Sequence, residues 1–232
     1  MTDILAAVVG LLLRVLVGMG AMVALLVPVL AIVGLRLLWE RGRHHQASPR
    51  HLVDWFGLPE GYAFHRGHAW AKRELPSVAV VGMDDFAQQL VGPLAAIDLP
   101  RRGDTIQAGQ RAWRLRADSE TIDMVAPITG KVIAVNELLE SMPDLANKDP
   151  YGRGWFCAVQ LPKDAGGFDE LLSGAGAHAW MAQVTHDLEM TFTPQLGHVL
   201  QDGGVPVHGF ARAIDESNWG QVARDFLSVG CY

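Results

Sequence analysis

The sequence predicts a mostly β soluble domain set between an amino-terminal transmembrane helix and a helical carboxy-terminal extension. Three observations predict it. From Ile4 to Leu38 the only charged side chains are Arg14 and Arg36. Between Tyr62 and Leu161 the apolar residues come in short runs separated by turn signals, the patterning of strands rather than of long helices. Past Lys163 helical spacing takes over and the charge balance turns acidic, with nine acidic and two basic side chains from Asp164 onward. The chain therefore divides into an anchor at 1–40, a basic linker at 41–51, a β domain at 52–163 and an acidic, α-rich extension at 164–232.

The anchor comes first. Val15 to Leu35 is an uncharged run of 21 residues. At 1.5 Å per residue it makes a helix of about 31 Å, which matches a hydrocarbon core of roughly 30 Å. A cleaved signal peptide would need a basic start, a shorter apolar stretch and a small-residue cleavage site; here Met1-Thr2-Asp3 is not basic and Trp39-Glu40-Arg41 follows the run directly. Residues 4–38 are expected to meet the membrane as a single pass. Arg36, Arg41, Arg43 and Arg50 lie at its far end and only Asp3 at its near end, so the amino terminus is placed outside and the large body in the cytoplasm. Arg14 sits where it can snorkel to the outer interface. The linker, with His44-His45, is polar and without apolar periodicity.

Strands are predicted next at Ala69–Arg73, Ser77–Met83, Ala95–Leu99, Arg111–Ala117, Met124–Pro127, Lys131–Asn136 and Trp155–Leu161. Asp84 is predicted to cap a short helix through Gln89, since its carboxylate can accept from the free amides of a first turn. Pro100-Arg101-Arg102-Gly103-Asp104, Ile128-Thr129-Gly130 and Asp149-Pro150-Tyr151-Gly152 mark turns. In the extension, Phe168–Ser173 and Ala177–Leu188 read as helices, the second aligning Trp180, Val184 and Leu188 on one face. Gly203 to Gly209 reads as a glycine-rich loop. Ser217–Leu227 reads as a helix with Trp219, Val222, Ala223 and Phe226 turned toward the body.

Composition excludes several classes. A net charge of −6 lacks the basic footprint of a nucleic-acid binder. The two cysteines, Cys157 and Cys231, make neither a CxxC motif nor a disulfide frame, and Cys157 in its apolar run reads as a buried small hydrophobe. His178, His186, His198 and His208 are spread through the extension without HExxH spacing. No Gly-x-Ser-x-Gly elbow marks a nucleophile. No enzyme activity is expected.

The order of motifs supports a family resemblance. His68-Ala69-Trp70, Gly82-Met83-Asp84-Asp85-Phe86-Ala87-Gln88, Leu99-Pro100 with Gly103-Asp104, Ala126-Pro127-Ile128-Thr129-Gly130-Lys131-Val132, Val135-Asn136-Glu137, Pro143-Asp144-Leu145-Ala146-Asn147 and Asp149-Pro150-Tyr151-Gly152-Arg153-Gly154-Trp155 follow in succession. From about Phe64 to Leu161 the chain resembles the glycine cleavage H protein, a lipoyl-carrier relative. The resemblance implies a barrel-sandwich hybrid, two small antiparallel sheets with a hairpin that presents a lipoyl-lysine. It also implies that His68 is the histidine of the family's His-x-Trp, read as a packing and hydrogen-bonding residue. The anchor and the helices beyond Gly174 fall outside the family domain on this reading.

The family's work rests on a lysine in a Glu-Ser-Val-Lys segment, seven residues before the alanine of Ala-Pro. Counting back from Ala126 reaches Ser119, and the glutamate position falls on Arg116. No lysine occurs between Lys72 and Lys131, and Lys131 lies after the turn and out of register. A serine hydroxyl cannot form the amide that holds a lipoyl arm, so the chain is expected to carry no lipoate. The hairpin residues Arg116, Asp118, Ser119, Glu120 and Asp123 become candidates for a partner surface. The expected function is a membrane-anchored, non-lipoylated docking or structural subunit with a protein partner. The alternatives are a carrier in glycine cleavage or another lipoate-dependent pathway, and metal or small-molecule sensing through the histidines of the extension.

Overall fold

The structure is a computed structural model; the residues it describes are 50–53, 55–162, 167–201, 205–206 and 208–227. The expected membrane span and nearly all of the basic linker lie outside the described residues. Among the described residues no helix is long and apolar enough to cross a membrane.

The described chain is mostly β and barrel-sandwich-like, with helices concentrated toward its carboxy-terminal side. It opens with an antiparallel pair, β1 (Arg50–Val53) and β2 (Phe56–Pro59). The larger sheet has six strands in the order β3 (Ala63–Phe64), β4 (Ala69–Leu75), β5 (Val78–Met83), β11 (Cys157–Gln160), β10 (Gly130–Val135) and β7 (Thr105–Ile106). The smaller has three, β6 (Ala96–Asp98), β8 (Arg111–Ala117) and β9 (Glu120–Val125). β12 (Leu200–Gln201) and β13 (Val205–Pro206) form a separate short pair.

Alternation explains why these segments are strands. In β8, Trp113, Leu115 and Ala117 are buried while Arg114 is half-buried and Arg116 exposed between them, the period-two pattern of a sheet with one wet face. The two sheets meet through Trp113, on β8, and Phe156, just ahead of β11, whose rings stand edge to face at 5.4 Å. Trp70 on β4 lies over Gly82 of β5, where a Cβ would come within 2.6 Å of its ring, so only glycine admits the indole. Fully buried aromatics, Phe56, Phe64, Phe86 and Phe210 among them, extend this core toward the helices.

Helix α1 (Asp85–Val91) begins as the sequence predicts: Asp84 accepts from the Ala87 amide at 2.8 Å. Two single-turn helices, α2 (Leu138–Ser141) and α3 (Leu145–Lys148), follow β10. The helix expected at Phe168–Ser173 is a run of turns. Leu172 exchanges both backbone hydrogen bonds with Phe64, at 2.7 and 2.8 Å, which takes the amide and carbonyl a helix would need. The next helix, α4 (Gly174–Val199), is longer than the expected Ala177–Leu188, and Trp180, Val184 and Leu188 are buried along it as their spacing requires. Two further helices, α5 (Phe210–Ile214) and α6 (Trp219–Leu227), complete the described chain. Residues Ser48–Tyr232 form one compact unit, so the extension packs on the β domain.

Candidate functional site

Strands β8 and β9 pair with Ala117 opposite Glu120, which leaves Asp118 and Ser119 as a two-residue connection. Asp118 has φ +49°, a left-handed conformation that aspartate tolerates because its short side chain bonds locally. Ser119, at the position the resemblance assigns to the carrier lysine, is exposed at the tip. Lys131 is far from this role: it lies on β10, in the other sheet, opposite Thr105 and Gln160.

Every charged candidate of the hairpin is engaged within the chain. Arg116 reaches Asp98 on β6 at 2.7 Å, and Asp123 accepts from Arg114 at 2.9 Å and Arg111 at 3.3 Å along the wet face of the small sheet. The two carboxylates flanking Ser119 turn instead to the extension. Asp118 meets Arg212 of α5 at 2.6 Å, and Glu120 meets Arg224 of α6 at 3.0 Å. Sequence reasoning missed both arginines, which lie 94 and 104 residues beyond their partners, a separation that leaves no local signal.

Magnitudes decide what holds the extension in place. Asp118 is 67% exposed and Glu120 34%, so each pair contributes about 0–1 kcal/mol. The apolar side of α5 and α6 contributes far more, at about 1.5–3 kcal/mol for each large side chain fully buried. Phe210 packs on Phe56 and Phe86 at 6.1 and 5.8 Å, Phe226 on Phe86 at 5.5 Å, and Trp219, Val222, Ala223 and Leu227 are buried with them. The expected inward face of α6 is therefore the observed one.

At the start of α1 lies a fully buried His68–Asp84 pair. His68 has φ +58°, and its Nδ1–H donates to Asp84 Oδ2 at 2.8 Å while the other carboxylate oxygen caps α1. Its ring stacks on Phe86 at 4.3 Å and leans on Trp180 of α4 at 4.9 Å. Among the described residues Nε2 has no hydrogen-bond partner, and the contacts the pair makes are those of packing and hydrogen bonding. Neighbouring His65 has its pKa lowered by burial first and by His68 second. Burial pushes the Cys157 thiol up to about 12, which keeps it protonated and unreactive.

Among the described histidines of the extension, His178 and His208 lie in separate surroundings. His178 lines an open hollow of about 570 Å³ with Tyr62, Phe64, Arg73 and Phe168. His208 lies beside Asp85, its pKa lowered by burial against the opposing pull of that carboxylate. Among the described residues no three His, Cys, Asp or Glu side chains are grouped to hold a metal ion.

Comparison with known proteins assigns this geometry a family. Residues 62–184 match the family model described as glycine cleavage H-protein. The match runs past β11 into the first turns of α4 and stops before α5 and α6. A glycine cleavage system H protein of Shewanella oneidensis is 38% identical over 122 residues, covering 53% of this chain and 94% of that one. Its counterpart in Shewanella loihica is 36% identical over the same length and coverage. A crystal structure of a glycine cleavage system H protein from Mycobacterium marinum aligns with TM-score 0.47 at 27% identity, covering 54% of this chain and 99% of that one.

Proposed function

The chain belongs to the glycine cleavage H-protein family, and from that premise we propose that it is a membrane-tethered member that carries no lipoyl arm and works by docking to a protein partner. The observation that carries this reading is Ser119 at the tip of the β8–β9 hairpin, in a stretch without lysine from Arg73 to Gly130. Lipoate is held through an amide, and the hairpin offers no amine to form one. Without a tethered dithiolane no group can be accepted and handed between active sites, so what the domain retains is its surface. The residues nominated for that surface are Arg116, Asp118, Ser119, Glu120 and Asp123.

The tether is supported by the uncharged run at Val15–Leu35 and by the arginines that follow it, which favour a single pass with the folded body on the cytoplasmic side. A shuttling carrier gains little from being held at a membrane, whereas a subunit of a membrane complex does. Purification of the full chain from detergent-solubilised membranes tests the proposal. A protein partner is expected to co-purify in stoichiometric amount, and to be lost when Ser119 and Asp123 are replaced by bulkier or oppositely charged residues. A monodisperse lone protein would contradict the docking role.

The second reading, a carrier in glycine cleavage or another lipoate-dependent pathway, is favoured by the family domain being retained over 122 aligned residues. The two differ at one atom: the carrier needs an acylated amine somewhere on the chain, and the docking module does not. Sensing through the histidines of the extension has the least support, because His178 and His208 lie in separate surroundings.

A further inference from the structure

We infer that α5 and α6 act as a plug in cis: they occupy the groove between α1 and the β8–β9 hairpin and withhold it from any partner or prosthetic arm. This goes beyond the docking proposal and holds whether or not Ser119 is modified. Three sets of contacts, each with its own chemistry, converge on it.

The first satisfies the end of α1. Its last carbonyls lack partners within the helix, and the extension supplies them: the Gly209 amide donates to Gln89 O at 2.7 Å, and Arg212 Nη1 donates to Val91 O. The approach is close enough that a Cβ on Gly92 would come within 2.7 Å of the Gly209 Cα. The second set is apolar. Phe210 and Phe226 close on Phe86 of α1, and the carbonyl of Leu227 reaches the floor beside Gly67 and Val125, where a Cβ on Gly67 would come within 3.4 Å of it. The third set fixes the hairpin itself. Arg212 and Arg224 take the two carboxylates that flank Ser119, and Gly220 lacks the side chain that would otherwise strike Glu120.

The balance of these contacts makes the plug permanent rather than a salt-gated latch. Half-exposed ion pairs are weak and screened, while the aromatic and aliphatic side chains beneath them are buried. Arg212 also stacks its guanidinium 3.8 Å over Trp219, which ties α5 to α6 so that they move as one body. The groove beneath the hairpin is thus filled from within the chain, while the hairpin tip itself stays open. What remains for a partner is Asp118 and Ser119 at the tip together with the outward side chains of the small sheet, Arg116, Thr121 and Asp123 among them.

Thiol labelling of the full chain in detergent tests the plug. In a Cys231→Ser background, Ala223→Cys places a thiol on the buried side of α6, and Ser119→Cys provides an exposed reference; native Cys157 is buried. With a maleimide probe the thiol at 223 is expected to react at least about 100-fold more slowly than that at 119. It is expected to stay protected in about 1 M NaCl and when Arg212→Ala and Arg224→Ala are added. Reaction within about 10-fold of the reference, or release of protection by salt, would overturn the inference. Hydrogen exchange of the unsubstituted chain gives the same decision without mutation. Amides of 222–227 are expected to exchange as slowly as those of β8, and exchange by independent opening of α6 would contradict a permanent plug.

Discussion

Asp118 Oδ2 lies 2.6 Å from Arg212 Nη2, so the tip of a hairpin and a helix 94 residues later are held as a pair. The two partners do not contribute equally. Among the described residues Asp118 pairs with Arg212 alone, at an exposed turn, whereas Arg212 also bonds Val91 O and covers the Trp219 ring. Asp118→Ala should lower the unfolding free energy by about 0.5 kcal/mol or less, Arg212→Ala by about 1–2 kcal/mol, and Phe226→Ala by about 3–5 kcal/mol. Urea unfolding of the three variants checks the order; equal losses for Asp118→Ala and Phe226→Ala would contradict it.

Gly92 has φ +77° and faces the Gly209 backbone. Gly92→Ala must both strain a left-handed residue and push backbone against backbone. A loss of about 2–4 kcal/mol is expected from the two effects together. Gly220→Ala meets only the flexible end of Glu120 and should cost about 1 kcal/mol. Thermal unfolding of the two variants, measured side by side, tests the difference.

Asp84 caps α1 with one carboxylate oxygen and holds His68 with the other. Asp84→Ala removes the cap and leaves a buried imidazole N–H unpaired, for a combined loss of about 2–4 kcal/mol. Asp84→Asn keeps one acceptor and should lose less. Chemical unfolding, with near-ultraviolet circular dichroism following Trp180 against His68, reports both.

These features differ in how far the sequence discloses them. The Asp84 cap is a local device spanning three residues, and it was legible. So was Arg111–Ala117, because its alternation of arginine with apolar residues has only one reading as a half-wet strand. β9 was only partly legible: Met124–Pro127 catches its end, but the turn before it is Asp118-Ser119, without glycine, proline or asparagine to announce a hairpin. Helix α5 is hidden behind the glycines that precede it. The arginine clasps were not legible at all, since sequence carries no mark of a contact made across about a hundred residues. His68 was legible as a packing residue, yet its partner Asp84 was read only as a cap.

Two histidines with lowered pKa, His65 and His208, contribute to the pH dependence of stability, and substitution isolates the share of His65. Its folded pKa is lowered from 6.5, chiefly by burial, so the unfolded chain binds more protons below that value. Its contribution is fully present above pH 6.5 and is lost as pH falls through the folded value. Stability should therefore decline on acidification from pH 7, and His65→Gln should flatten the decline. A slope unchanged by that substitution would assign the effect to other groups.

The β8–β9 hairpin ends in Ser119, and the proposed absence of a lipoyl arm rests on that residue. Intact-mass spectrometry of the full chain, produced in cells supplied with lipoate and an active lipoate ligase, tests it most directly. The expected mass is that of the unmodified polypeptide, while a Ser119→Lys variant provides an amine at the same tip for comparison. A lipoyl adduct on the unsubstituted chain, at any residue, would overturn the proposed absence of the arm.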